Sequence, residues 1–269
     1  YSARRVNRTR EDSGATFAAA VQLDTSANSD NFKHAVAASA DGARVVVAWE
    51  QLTTTTLARN VFSRVSTDSG TTWAAERRIS VNSGAAAVAG KPRVAVTSSG
   101  RFVFAWREIR SPRLTFDVFA TYSDDGTTAI PAGATREVRI DTDASDNRAS
   151  DDLRIATDGT RVYLVYQDLS TVTSGDSDIV FARTINDGVS WGSVAILDDP
   201  TGGEVSTSSD AQIVVDPRTA SATDDRVYVA WLDTREGSQV YLGRSDDSGA
   251  TFTTRTRATQ RTAHAQSGV

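Results

Sequence analysis

Ser66-Thr67-Asp68-Ser69-Gly70-Thr71-Thr72-Trp73 decides how this chain is read. Variants of it recur as Asp12-Ser13-Gly14-Ala15-Thr16-Phe17, Asp124-Asp125-Gly126-Thr127-Thr128-Ala129, Asn186-Asp187-Gly188-Val189-Ser190-Trp191 and Ser245-Asp246-Asp247-Ser248-Gly249-Ala250-Thr251-Phe252. The anchors Asp12, Asp68, Asp124, Asn186 and Asp247 stand 56, 56, 62 and 61 residues apart. A repeat of this length is the mark of an architecture built from like units. Each copy has the chemistry of a stapled hairpin. Gly14, Gly70, Gly126, Gly188 and Gly249 supply a positive φ in a tight turn. The anchor side chain accepts hydrogen bonds from the turn N–H groups, and the Ser or Thr hydroxyl bonds back to the turn. Trp73, Trp191 and Phe252 are placed to pack beneath it, between neighbouring sheets.

Short strands separated by turn signals fill the intervals. Inner strands are expected at 34–39, 93–97, 153–157 and 211–215. Second strands follow at 44–49, 101–106, 161–166 and 226–231, with the aligned segments VVVAW, FVFAW, VYLVY and VYVAW. Third strands are expected at 61–66, 117–122, 178–183 and 239–244, and a fourth at 73–79. This is the pattern of four-stranded antiparallel units. The aromatics closing the second strands, Trp49, Trp106, Tyr166 and Trp231, read as core between units rather than as sugar-stacking platforms. No helix-period segment stands out.

The repeated stretch resembles the Asp-box (BNR repeat), S-x-D-x-G-x-T-W, of the sialidase-like β-propellers. The resemblance implies one all-β propeller domain over 1–269, built of four-stranded antiparallel blades. A partial blade at about 1–24 and full blades at about 30–80, 88–141, 150–198 and 208–258 make about five in all. In that family the boxes are structural and lie away from the ligand site. Closure is expected from the tail at 259–269, running back toward the N-terminal partial blade. Sialidases of this fold hold the substrate carboxylate with three arginines, a role Arg107, Arg154 and Arg235 could imitate. They also use a Tyr–Glu nucleophile pair, an Asp acid/base and a Phe/Tyr-Arg-Ile-Pro signature. The signature is absent here, and no Tyr falls in a funnel loop.

Composition narrows the function classes. A net charge of −5 implies no nucleic-acid partner. Of the 29 basic residues only Lys33 and Lys91 are lysine. Without cysteine there is neither a disulfide framework nor a thiolate metal site. No apolar run is long enough to cross a bilayer as a helix. The absence of methionine, even at position 1, reads as a processed chain, secreted or at the cell surface. Composition says nothing of oligomeric state.

Strand direction sorts the connections onto two ends. The boxes and the tight turns, such as Asp41-Gly42 and Asp158-Gly159, share one. The longer polar loops share the other, where function tends to reside. Ligand-binding candidates there are Glu50, Arg107, Glu108, Arg154, Asp168, Asp233 and Arg235. Lys33, His34, Lys91, Arg93, Asp152, Asp210 and Gln212 come from the inner strands. Carboxylates and guanidinium groups around a funnel suit a sugar, with arginine holding a carboxylate bidentately. No catalytic residue is assigned, because hydrolysis needs two groups flanking the bond and none stands out. His34 and His264 share no ligand spacing, so no zinc site is expected. No cofactor is implied beyond a calcium ion at the alternating oxygens of the loop that carries Asp141 and Asp143. The leading expectation is an extracellular, non-catalytic binding or scaffold module for glycan or protein. The alternative is a sialidase-like glycoside hydrolase or a fragment of one.

Overall fold

The computed structural model describes residues 19–81, 88–110, 114–125, 136–141, 148–170, 175–192, 195–198, 205–218, 224–253 and 255–258. The calls on Asp12, Gly14, Gly126, Asp143 and the tail at 259–269 lie outside them. All sixteen described elements are strands, arranged as four antiparallel units of four. The first is β1 (Ser29–Ala38), β2 (Val45–Thr53), β3 (Arg59–Ser66) and β4 (Arg77–Arg78). The second is β5 (Val88–Val96), β6 (Phe102–Ile109), β7 (Asp117–Ser123) and β8 (Val138–Arg139). The third is β9 (Arg148–Thr157), β10 (Val162–Ser170), β11 (Ser177–Thr184) and β12 (Ala195–Ile196). The fourth is β13 (Ser208–Asp216), β14 (Arg226–Asp233), β15 (Gln239–Ser245) and β16 (Thr256–Arg257). A single parallel bridge, Arg59 to Val88, joins the first two units into one eight-stranded sheet. The two-residue outer strands leave little free edge for another chain to pair with.

Alternation along the second strands builds the core. One face of each unit packs on the opposite face of the next. Val46 and Ala48 meet Phe102, Phe104 and Trp106. Ala105 meets Leu164 and Tyr166, and Val103 meets Val162. Tyr163 and Val165 meet Val227, Val229 and Trp231. Trp49, Trp106, Tyr166 and Trp231 are all buried, so they are core and not stacking platforms. The first strands lie side by side, β1 on β5, β5 on β9 and β9 on β13.

The expected closed ring is not formed among the described residues. No comparable packing returns β13 to β1. Against the described residues the two terminal faces are correspondingly open. Tyr228, Ala230 and Leu232 in the last unit are half-buried, as are Val45 and Val47 in the first. Val36 is 65% and Val214 59% exposed.

The boxes hold their turns through side-chain oxygens. Asp68 Oδ1 accepts from Thr72 N at 2.8 Å and Ser66 Oγ at 2.7 Å, and Ser66 Oγ accepts from Gly70 N at 2.8 Å. Ser245, Asp247, Gly249 and Thr251 repeat this set with the same four partners. In the third unit Asn186 Oδ1 takes the Ser190 N–H at 2.9 Å and Thr184 Oγ1 the Gly188 N–H at 3.0 Å. The second unit corrects the frame. Asp124 is not its anchor: its carboxylate pairs with Arg101 at 2.7 Å and Arg136 at 3.3 Å. Asp125 takes the hydroxyl of Ser123 instead, at 3.3 Å. The Ser-x-Asp spacing, not the adjacent glycine, marks the anchor.

Box and tight turn do share one end, where Ser69 N donates to Ala43 O and Ser248 N to Asp225 O, each at 2.9 Å. Arginines lace neighbouring units together there. Arg44 donates to Gly100 O at 2.8 Å, Arg183 to Ser248 O at 2.5 Å, and Arg161 bridges Asp158 and Asp225 at 2.9 Å each.

Candidate functional site

The inner strands begin earlier than their alternation suggests, and the reason is a bulge. Each of β1, β5, β9 and β13 slips register against its second strand, between Phe32 and Ala35, Gly90 and Arg93, Asp151 and Arg154, and Ser209 and Gln212. The four expected inner strands start just after the slip, because the extra residue breaks the period of two. At the bulge stand Lys33, Lys91, Asp152 and Asp210, with φ of 43°, 50°, 48° and 53°.

Across the second and third units these strands bring charges together. Asp151 Oδ1 accepts from Lys91 Nζ at 2.7 Å, and Asp151 Oδ2 pairs with Arg107 Nη1 at 2.8 Å. Asp152 pairs with Arg154 at 2.6 Å. Arg107 also lies over the Phe116 ring, 3.9 Å from its centroid. Burial pushes the Asp151 carboxyl up, but hydrogen bonds from Lys91 and the Asp152 N–H, with Arg107 alongside, outweigh it. The group is held below the usual carboxylate range. Arg93 donates Nε to Leu153 O at 2.5 Å and Nη1 to Pro92 O at 2.9 Å, and no carboxylate partner of Arg93 occurs among the described residues. Burial, then the like charge of Arg154, lowers the pKa of its guanidinium against the opposing attraction of Asp152 and Asp151.

The remaining candidates sit elsewhere. Glu50 is buried, paired with Arg59 at 2.6 Å, and edges a cavity of about 190 Å³ shared with Arg59, Gly90, Arg107 and Phe116. Glu108 is fully buried; it accepts from Trp106 Nε1 at 2.8 Å and pairs with Arg110 at 2.6 Å. Arg110 forks onward to Glu137. Asp168 is buried beside Arg148, which donates to its carbonyl at 3.1 Å. Asp233 is fully buried under Arg235 at 2.5 Å, and Arg235 also reaches Asp198 O. Of the candidates, Arg107 and Arg154 therefore join the cluster and Glu50 borders it. Glu108, Asp168, Asp233 and Arg235 are not brought to it. Charge at a strand end reads as solvated in sequence, yet here each carboxylate has an arginine a few residues or one strand away. Lys91, Arg93 and Asp152 were already visible as inner-strand charges; Asp151 was missed, since its importance comes from bridging two cations of the preceding unit.

Asp141 is buried, accepting from Ser150 Oγ at 2.5 Å with Arg139 at 3.6 Å. Among the described residues no group of three or more His, Cys, Asp or Glu is placed to hold a metal ion. No helix among the described residues is long and apolar enough to cross a membrane. The larger cavity, about 660 Å³, lies at the box end, lined by Ser39, Asp41, Arg44, Ser98, Thr157 and Asp158 among others. Its polar groups bond one another: Ser39 to Asp41 at 2.5 Å, Ser98 N to Gly159 O at 2.5 Å, Arg44 to Gly100 O. The smaller cavity lies beside the charge cluster and shares Arg107 with it.

No family model and no curated protein sequence matches the chain. Solved structures do. A Dyadobacter fermentans protein of unknown function is similar at TM-score 0.56 and 14% identity, over 86% of this chain and 69% of its own. A Fusarium graminearum GH93 α-L-arabinofuranosidase, in complex with arabinobiose, is similar at 0.54 and 13%, over 87% and 68%. The NanB sialidase of Streptococcus pneumoniae is similar at 0.51 and 10%, over 88% of this chain and 53% of its own. At these identities the likeness is one of fold. The chain thus shares the all-β fold of known glycoside hydrolases, a sialidase among them, and spans about two thirds or less of their length.

Proposed function

We propose that this protein is an extracellular β-propeller module of the Asp-box type that binds a carboxylated glycan at the loop end, without hydrolysing it. One observation carries this reading: Arg93 is a half-buried guanidinium whose hydrogen bonds among the described residues go to backbone carbonyls, in a cluster where Lys91, Arg93, Arg107 and Arg154 outnumber Asp151 and Asp152. Asp151 and Asp152 act on this cation only at a distance, and a sugar carboxylate would supply the direct, forked contact. The fold likeness to glycoside hydrolases supports a carbohydrate ligand, and arabinobiose bound to one of them makes a neutral pentose oligosaccharide the natural control.

Asp151, the carboxylate that bridges two cations of the cluster, is not in the state a general acid needs. A glycosidase acid must keep its proton near neutral pH, which needs a raised pKa. Asp151 is shifted the other way. The carboxyls that burial raises, Asp198 and Asp225, are buried between units and apart from the cluster.

The test is calorimetric titration with trigalacturonate, sialyllactose and arabinobiose, beside assays for released sugar. Binding of a carboxylated sugar, abolished by Arg93→Ala, with no product released, is the expected result. Preference for arabinobiose, or no binding, would overturn the ligand class; product release would establish a hydrolase instead.

A further inference from the structure

The four bulges place ionic residues at one level of four adjacent inner strands. The residues just before the slip, Phe32, Gly90, Asp151 and Ser209, lie opposite Glu50, Arg107, Gln167 and Leu232, which are equivalent positions of β2, β6, β10 and β14. Left-handed backbone favours Gly, then Asn and Asp; lysine gains nothing there. Yet none of the four bulges carries glycine, and two carry the only lysines of the chain. If the bulge served blade curvature alone, glycine would serve it without the strain. Glycine passed over at equivalent places in four units, and lysine set there in two of them, points to what the side chains do.

What they do differs along the row. Lys91 and Asp152 are already engaged in the cluster, with Asp151 and Arg154. Lys33 and Asp210, on the flanking strands, are exposed and have no hydrogen bond or ion pair among the described residues. In order, the row reads basic, basic, acidic, acidic. Lysine suits a sugar carboxylate. Aspartate suits sugar hydroxyls, which donate to it.

We infer that the left-handed bulge is a presentation device, and that Lys33 and Asp210 are ligand-contacting residues extending the binding surface beyond the central cluster. This rests on the carbohydrate reading above. It adds polarity to the ligand: an acidic oligosaccharide of several residues, carboxylates over the Lys33–Lys91 half and hydroxyls over the Asp152–Asp210 half.

Trigalacturonate and its methyl ester, which keeps the hydroxyls but lacks the charge, are the probes. Lys33→Ala is expected to weaken trigalacturonate about tenfold, the size of a charge-assisted hydrogen bond, and to leave the ester unchanged. Lys33→Arg restores the affinity. Asp210→Ala is expected to weaken both probes by about threefold to tenfold. Lys33→Gly and Asp210→Gly should bind like their alanine counterparts but melt at higher temperature, since glycine alone takes this backbone freely. If wild type binds trigalacturonate and neither alanine variant weakens it, this inference falls while the central site stands. Alanine variants melting above the glycine ones would refute the strained device. Failure of wild type to bind either probe would refute this inference, and failure to bind sialyllactose as well would sink the carbohydrate reading with it.

Discussion

A Cβ added to Gly249 would stand 2.6 Å from Cζ of Phe181, in the preceding unit, and 3.0 Å from its Cε1. The box glycine is thus both a turn residue, at φ +77°, and the point where one unit presses on the last. Gly188 presses likewise on Val103. Gly70 has only its own Trp73 near, at 3.9 Å. Gly249→Ala is therefore expected to cost about 2–4 kcal/mol, from overpacking and left-handed strain together. Gly70→Ala should cost about 1–2 kcal/mol, from strain alone. Urea midpoints of the two variants decide it; equal losses would mean that the glycines do not interlock the units.

Gly90 is glycine for a different reason. Its φ is ordinary, but a Cβ would run into the Glu50 carboxylate, 2.7 Å from Cδ. Gly90→Ala should cost about 1–3 kcal/mol in the native background and nearly nothing beside Glu50→Ala. A double-mutant cycle measures the coupling, and additive losses would contradict the collision.

Glu108 is a structural anion. Among Trp49, Trp106 and Trp231, only the Trp106 indole finds an acceptor among the described residues, and Glu108 is that acceptor. Glu108→Ala strands that N–H and half of Arg110, at an expected cost of about 3–5 kcal/mol. Affinity for a carboxylated glycan, measured well below the melting temperature, should not change. A tenfold loss of affinity would return Glu108 to the binding site.

The anchors impose an acid limit. Burial alone would raise the Asp247 carboxyl, but Thr251 through hydroxyl and N–H, with Ser245, brings it down to about 2 from 3.8. A lowered folded-state pKa stabilises fully above about pH 4 and is lost as pH falls toward 2. Asp247→Asn should flatten that part of the acid limb, since the amide keeps the acceptor and has no charge to titrate. Asn186 fills this role in the third unit already. A melting temperature with unchanged pH dependence would show that the anchor does not govern it.

Sequence carried the fold further than the site. Box residues and turn dipeptides act through local hydrogen bonds, so their spacing alone located the hairpins and the ends they share. The second strands were legible because alternation there is unbroken, although they run on past the aromatics to Thr53, Ile109, Ser170 and Asp233. The bulges were not legible. Lys33 and Lys91 have no propensity for left-handed backbone, and register is set by a partner strand, not by the strand itself. The Asp124 frame failed because Asp-Gly is the stronger local turn signal, while the hydrogen bond follows Ser123. Glu108, Asp168 and Asp233 fall away from the cluster because Arg110, Arg148 and Arg235 engage them, and a sequence does not say which arginine meets which acid.

The open faces at either end have a consequence for how the molecule comes apart. Among the described residues, units two and three are covered on both sides, units one and four on one. Each unit meets only its chain neighbours among the described residues, so the free energy of opening is close to a sum of unit and interface terms, as in a linear array. Melting then begins at the ends, with one interface lost, and proceeds inward, where two are lost. Amide protons of β6 and β10 will exchange only through the deepest openings, and those of β1 and β13 through shallow, local ones.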